Sequence, residues 1–261
     1  MRIQRPYGTE RTESVNPAPL LSKGRQMGTL YVVGTPIGNL EDVSERALRV
    51  LRQVRLIAAE HPQRTQRLLA RYDIHTPMRR YTDAYDRKKR QRMAAVLAAL
   101  AEGDVALVSE AGMPGLADPG YELIAAALEE GVPVVPVPGP TALGAALSAA
   151  GIPADRFVFL GFLPRGAKAR RELLSSVADS PFALVAYEAP HRLLGTLTDL
   201  DRLFGDRPIA AACELTKLYE EIRRGIAAEL LVHYRTHQPR GEFTLVIAPS
   251  PGTGGEQGET A

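Results

Sequence analysis

Leu30-Tyr31-Val32-Val33-Gly34-Thr35-Pro36-Ile37-Gly38-Asn39-Leu40 decides the fold class. A short apolar, partly β-branched run enters a loop with two glycines and a proline, and helical periodicity resumes at Asp42. A strand that ends in such a loop before a helix is where open α/β sheets hold ligands. The loop is neither of the familiar phosphate motifs: Gly34 and Gly38 stand four apart, Pro36 lacks an N–H, and no Lys-Ser/Thr follows Gly38. Taken alone, it reads equally well as a plain tight turn.

Outward from this stretch the same alternation repeats. Apolar runs at Leu56–Ala59, Val105–Val108 and Val132–Val137 predict further strands. Stretches of helical period lie between them at Asp42–Leu51, Gln63–Arg71, Arg87–Leu100 and Tyr121–Glu130. This pattern predicts a mostly parallel sheet covered on both faces, residues 28–138. Pro136, Pro138 and Pro140 cannot all lie in a central strand and mark the end of that lobe. A small-residue helix, Thr141–Ala150, opens a second lobe, residues 139–249. Its strands are expected at Phe157–Leu160, Ala183–Tyr187, Ile209–Cys213, Tyr219–Arg224 and Glu242–Ala248, the last three close enough for antiparallel pairs. Its later helices are expected at Lys168–Val177, His191–Phe204 and Ala227–Tyr234. The expected fold is thus two-lobed α/β, with a mixed sheet in the second lobe.

The chain has 261 residues and a formal net charge of +2, so any nucleic-acid surface must be a local cluster of basic residues. Cys213 is the one cysteine, which fits a reducing cytoplasm and a buried strand position. Residues 1–27 lack the apolar core of a signal peptide, no segment has the apolar length of a membrane span, and a cytoplasmic location is expected. Both 1–27 and the Gly/Glu-rich 250–261 read as disordered.

Five further segments stand at strand ends. Val108–Gly120 is a long Gly/Pro-rich loop in which Gly112 and Gly115 allow close backbone approach, and Asp118-Pro119 reads as a helix cap and first helical residue. The others are Pro138–Ala142, Tyr187–Arg192, Cys213–Lys217 and Gly241–Val246. Singly each is a turn or a cap.

In this order the segments resemble the tetrapyrrole-methylase fold family, and within it the bacterial methyltransferases that modify a cytidine ribose 2′-oxygen in the 16S rRNA decoding region. The resemblance runs from about Leu30 to Ala248 and is strongest at Leu30–Leu40, Leu56–Glu60, Gly139–Phe157, Gly161–Pro164, Tyr187–Leu193 and Glu214–Glu220. It implies a class III two-lobed fold, S-adenosylmethionine in the cleft between the lobes, a homodimer, and the small ribosomal subunit as partner. It places cofactor contacts on Pro36, Gly112, Met113, Pro138, Gly139, Thr141, Ala142, Tyr187, Gly241 and Thr244. The chain departs from the pattern where the family has Asp-Thr-Arg after Ala59-Glu60 and this sequence has His61-Pro62-Gln63, then Arg64. It departs again where Ser-Asp-Ala-Gly-Thr-Pro becomes Ser109-Glu110-Ala111-Gly112-Met113-Pro114. A same-fold enzyme for another substrate such as a tetrapyrrole, or a non-catalytic RNA- or cofactor-binding relative, are the competing readings.

Methyl transfer from a sulfonium needs an aligned nucleophile and a group to take its proton. Glu60 and Glu110 are the candidate catalytic carboxylates, with His61 behind them; Lys217 reads as a solvated lysine. Two basic clusters are candidates for RNA. One is Arg165, Lys168, Arg170 and Arg171; the other joins Arg79-Arg80 to Arg87–Arg92 with Tyr81 and Tyr85 interleaved as possible base-stacking aromatics. His233 and His237 lack a third ligand nearby, so no metal is expected.

Overall fold

The computed structural model describes residues 27–82 and 88–251. The first sheet contains β1 (Leu30–Val33), β2 (Leu56–Ala59), β3 (Met78–Arg80), β4 (Val105–Val108) and β5 (Val134–Val137). Its order is β3-β2-β4-β1-β5 and every pair is parallel. All residues of β2 and β4 are buried, as expected for strands covered on both sides. Helices α1 (Glu45–Gln53) and α2 (Pro62–Arg71) seal one face through Ala47, Val50, Leu51, Leu68 and Leu69. Helices α3 (Lys89–Leu100) and α4 (Tyr121–Glu129) seal the other through Val96, Leu100, Leu123 and Ala127. Pro136 sits in β5, an edge strand, where a missing N–H costs no ladder bond on the open side.

The second sheet contains β6 (Phe157–Phe162), β7 (Ala183–Glu188), β8 (Ile209–Cys213), β9 (Glu221–Gly225) and β10 (Phe243–Ile247). Its order is β6-β7-β10-β8-β9, with β6–β7 parallel and the remaining pairs antiparallel. Helices α6 (Ala167–Ser176), α7 (Pro190–Phe204) and α8 (Ala227–Thr236) cover one face. On the other lies α5 (Ala142–Ala150), whose Ala146 and Ala150 pack against Val185, Ala210, Ala212 and Val246. Small side chains on both surfaces bring that helix close to the sheet. Its last carbonyls are capped from the sheet: the Arg224 guanidinium donates to Ala150 O at 2.8 Å and also to Ala149 O.

Two sequence expectations change here. Arg170 does not point to solvent: it is buried, and its Nε donates to Asp199 Oδ2 at 2.8 Å, joining α6 to α7. Tyr81 is buried in the α3/α4 core, so it is no base-stacking aromatic, while Tyr85 and Arg87 lie outside the described residues. The expected extension and tail also lie outside them, except at their inner ends. Met27 packs against the first lobe's core, and the Ser250 N–H donates to Ser180 O at 2.9 Å. Among the described residues no helix is long and apolar enough to cross a membrane.

Candidate active site

In the first sheet β1 and β4 are neighbours whose connections diverge. The chain leaves β1 over one face through α1, and leaves β4 over the other through α4. The crevice at their carboxyl ends is where such sheets take ligands. The two loops are clipped together across it, Thr35 N donating to Gly112 O at 2.9 Å and Gly112 N to Thr35 O at 3.0 Å. Gly112 has φ +81°, a conformation glycine adopts without strain. A Cβ on Gly34 would lie 2.7 Å from the Gly139 backbone, so these glycines let the ends of β1 and β5 touch.

A cavity of about 240 Å³ opens above this switch point and is closed from the other side by the second sheet. Glu60, Glu110, Gly112, Met113, Thr141, Ala142, Tyr187 and Thr244, all singled out from the sequence, line it. Pro36, Pro138, Gly139 and Gly241 are not among its lining residues. Gly241, at φ +74°, leaves room for the Glu214 carboxylate, which a Cβ there would meet at 2.2 Å. Glu214 Oε1 in turn accepts from Lys217 Nζ at 2.9 Å and from the Glu242 N–H at 3.1 Å. Tyr187 is held edge-on by Phe159 and Phe162, with ring centroids at 5.0 and 5.3 Å. Its hydroxyl accepts the Leu143 N–H in the first turn of α5 at 3.1 Å. Burial raises the Tyr187 phenol's pKa against the opposing effect of that bond.

The lining holds five carboxylates, Glu60, Glu110, Asp118, Glu214 and Glu242, against one ammonium, Lys217. They are not equivalent. Glu110 is turned to the rim, where His61 Nε2 lies 2.9 Å from its Oε2 and Arg64 pairs with Oε1. Glu60 accepts the Glu110 backbone N–H at 3.0 Å. Asp118 is shifted by its surroundings. Burial, then the charge of Glu60, push its carboxyl up to about 6, opposed by a hydrogen bond from Ser109. Burial pulls the Lys217 ammonium down, but its contacts with Glu214 and Glu242 outweigh this and raise it.

Asp118 and Lys217 correct the sequence reading. Asp118 caps nothing: the residue before α4 is Gly120, with no side-chain cap. Lys217 is partly buried between two glutamates in the cavity wall. Ile37, Leu116 and Phe162 supply apolar lining that was not foreseen. For Ile37, Leu116, Asp118 and Lys217 the common signal was position, since each lies within a loop already marked as leaving a strand's carboxyl end; Phe162, at the end of β6, carried no such mark.

Of the expected RNA cluster, Arg165 and Lys168 are exposed, and Arg171 is half-exposed and 3.6 Å from Asp199. They follow Phe162 of the cavity, and the loop is rooted by Arg192, which donates to Pro164 O at 3.1 Å and pairs with buried Glu188. In the other cluster Lys89 pairs with Glu122 at 2.5 Å. Among the described residues no group of three or more His, Cys, Asp or Glu is placed to hold a metal ion.

Compared with known proteins, residues 29–231 match the tetrapyrrole (corrin/porphyrin) methylases. The chain belongs to the tetrapyrrole methylase family. Among relatives of this family, ribosomal RNA small subunit methyltransferase I of Thermotoga maritima is 46% identical over 85% of this chain and 99% of its own. The Pseudomonas aeruginosa protein of the same name is 47% identical over 88% of this chain and 82% of its own. Solved structures of the family share the fold. Uroporphyrin-III C-methyltransferase of Thermus thermophilus with S-adenosylhomocysteine superposes with TM-score 0.58 at 21% identity, covering 84% of this chain and 97% of that one. A cobalt precorrin-4 methyltransferase superposes with TM-score 0.62 at 17% identity, covering 84% and 94%.

Proposed function

We propose that this chain is an S-adenosylmethionine-dependent methyltransferase of small-subunit ribosomal RNA. The observation that carries the reading is the acidic inter-lobe cavity, in a chain 46% identical to a small-subunit rRNA methyltransferase over 99% of that relative. S-adenosylmethionine supplies an electrophilic methyl carbon on a cationic sulfur and also carries an ammonium. Five carboxylates facing one ammonium suit those two positive charges. The same lining repels polyanions, which disfavours a carboxylate-bearing tetrapyrrole deep in the cavity. It keeps RNA phosphates at the rim while a ribose hydroxyl reaches in.

In this reading Gly112, Met113, Thr141, Ala142, Tyr187 and Thr244 contact the cofactor, and Pro36, Pro138, Gly139 and Gly241 set the shape of its walls. The phenol of Tyr187, fixed by two aromatic edges and the start of α5, gives the cofactor a rigid surface. Arg165, Lys168 and Arg171 receive the RNA backbone, without Arg170. The acceptor is the 2′-hydroxyl of a cytidine in the 16S decoding region, and the working form is a cytoplasmic homodimer with lobes at 28–138 and 139–249.

The test incubates the protein with radiolabelled S-adenosylmethionine and small subunits lacking decoding-region ribose methylation, then identifies the labelled nucleoside. Label in 2′-O-methylcytidine is expected. Protein that binds the cofactor but labels no RNA overturns the reading.

A further inference from the structure

We infer that Asp118 accepts the proton of the attacking hydroxyl and that Glu60 tunes it for that role. The inference rests on the rRNA ribose methyltransferase reading and assigns the step for which that reading needs a base. Of the five cavity carboxylates, three are paired with cations: Glu110 with Arg64, and Glu214 and Glu242 with Lys217. Glu60 is oriented by the Glu110 backbone N–H. Asp118 lies in the lining, partly buried, on the same loop as Ser109. The charged and titratable groups around it are Glu60 at the end of β2, Glu242 before β10 and the Tyr187 phenol of β7. Burial, then the charges of Glu60 and Glu242, make Asp118 hold a proton more tightly than an ordinary aspartate, with its carboxyl at about 6. A carboxyl in that range is mostly ionised at neutral pH yet basic enough to take a proton as charge develops.

The step balances without a further reactant. The 2′-oxygen bonds to the methyl carbon as that carbon's bond to sulfur breaks and the electron pair stays with sulfur. The hydroxyl proton passes to the Asp118 carboxylate and is later lost to water. Glu60 is a positioning residue: its negative charge raises the basicity of Asp118.

The test compares wild type, Asp118→Asn and Glu60→Gln in two measurements. The first follows the aspartate carboxyl signals by ¹³C NMR against pH in the protein alone. A resonance titrating near 6 is expected in wild type. It should vanish in Asp118→Asn and move to lower pH in Glu60→Gln. The second follows single-turnover methylation of small subunits against pH at saturating cofactor. Wild-type rate should rise tenfold per pH unit on the acid side and level off above about 6. At saturating cofactor Asp118→Asn should lose about 10²- to 10⁴-fold in rate, a loss that raising the cofactor concentration does not restore, and Glu60→Gln should move the acid limb to lower pH. An Asp118→Asn rate within about threefold of wild type, recovery of that rate with added cofactor, or an acid limb unmoved in Glu60→Gln overturns the assignment. Wild type that methylates no subunit overturns the functional reading and this assignment with it; active wild type beside an equally active Asp118→Asn overturns the assignment alone.

Discussion

At the scale of single residues, the two departures from the family pattern meet in space. His61 and Arg64 replace the usual arrangement after Glu60, and Glu110 stands where an aspartate is usual; in the fold all three form one ion-paired group at the cavity rim. Tyr187 supports a direct prediction. Its ring is fixed by Phe159 and Phe162 and its hydroxyl by Leu143, so Tyr187→Ala removes a cavity wall and the anchor to α5 together. S-adenosylmethionine affinity by calorimetry should fall at least tenfold, and an unchanged titration would remove Tyr187 from the cofactor site. Asp118 has a stability consequence as well. Its folded carboxyl is raised from 3.8 to about 6, so the native state binds the proton more tightly and stability falls as pH rises through that window. Asp118→Asn removes the penalty: its melting temperature should exceed that of wild type at pH 8 and match it near pH 3. An identical difference at both pH values would contradict the electrostatic account. The sequence concealed this because Asp-Pro before a helix has a sufficient local explanation as a cap, and the opposing charge, Glu60, is distant in sequence and joins it only in the sheet.

At the scale of elements, β1, β2, β4 and β8 coincide with the apolar runs that announce them, because strands buried on both faces need a continuous apolar stretch. β3 carried no such signal. It has three residues, two of them exposed arginines, and exists because its backbone completes the edge of β2. The acidic and basic faces of helices were harder to assign than the helices themselves. Arg170 and Arg171 are adjacent in a charged helix, yet one is buried on Asp199 and the other half-exposed. Which arginine turns inward depends on where α7 lies, and that is tertiary information. Removing the guanidinium in Arg170→Ala leaves buried Asp199 with only half-exposed Arg171, 3.6 Å away, to offset its charge, at a cost of up to about 3–5 kcal/mol in a denaturant titration. A loss below about 1 kcal/mol would show that the pair is not sealed from water.

At the scale of the whole molecule, a net charge of +2 conceals a strong asymmetry. The cavity is lined by five carboxylates and one ammonium, while exposed Arg165 and Lys168 stand a few residues beyond Phe162 on its wall. Such a distribution separates the two tasks of the proposed enzyme: the negative interior concentrates a cationic cofactor, and the positive rim holds a polyanion outside it. The separation yields a prediction that a merely solvated loop would not meet. Each phosphate contact releases counterions, so the logarithm of RNA affinity falls linearly with the logarithm of salt, by about 0.7 to 0.9 per contact. Arg165→Glu with Lys168→Glu should therefore weaken small-subunit binding and flatten that slope by about 1.4 to 1.8 if both side chains meet phosphate. Cofactor affinity should stay unchanged, because neither residue lines the cavity. Measured from about 50 to 200 mM salt, curves that run parallel to wild type would place RNA on another face. Curves that converge at high salt would show that the positive rim is an electrostatic guide, acting on a substrate whose specific contacts lie closer to the cavity.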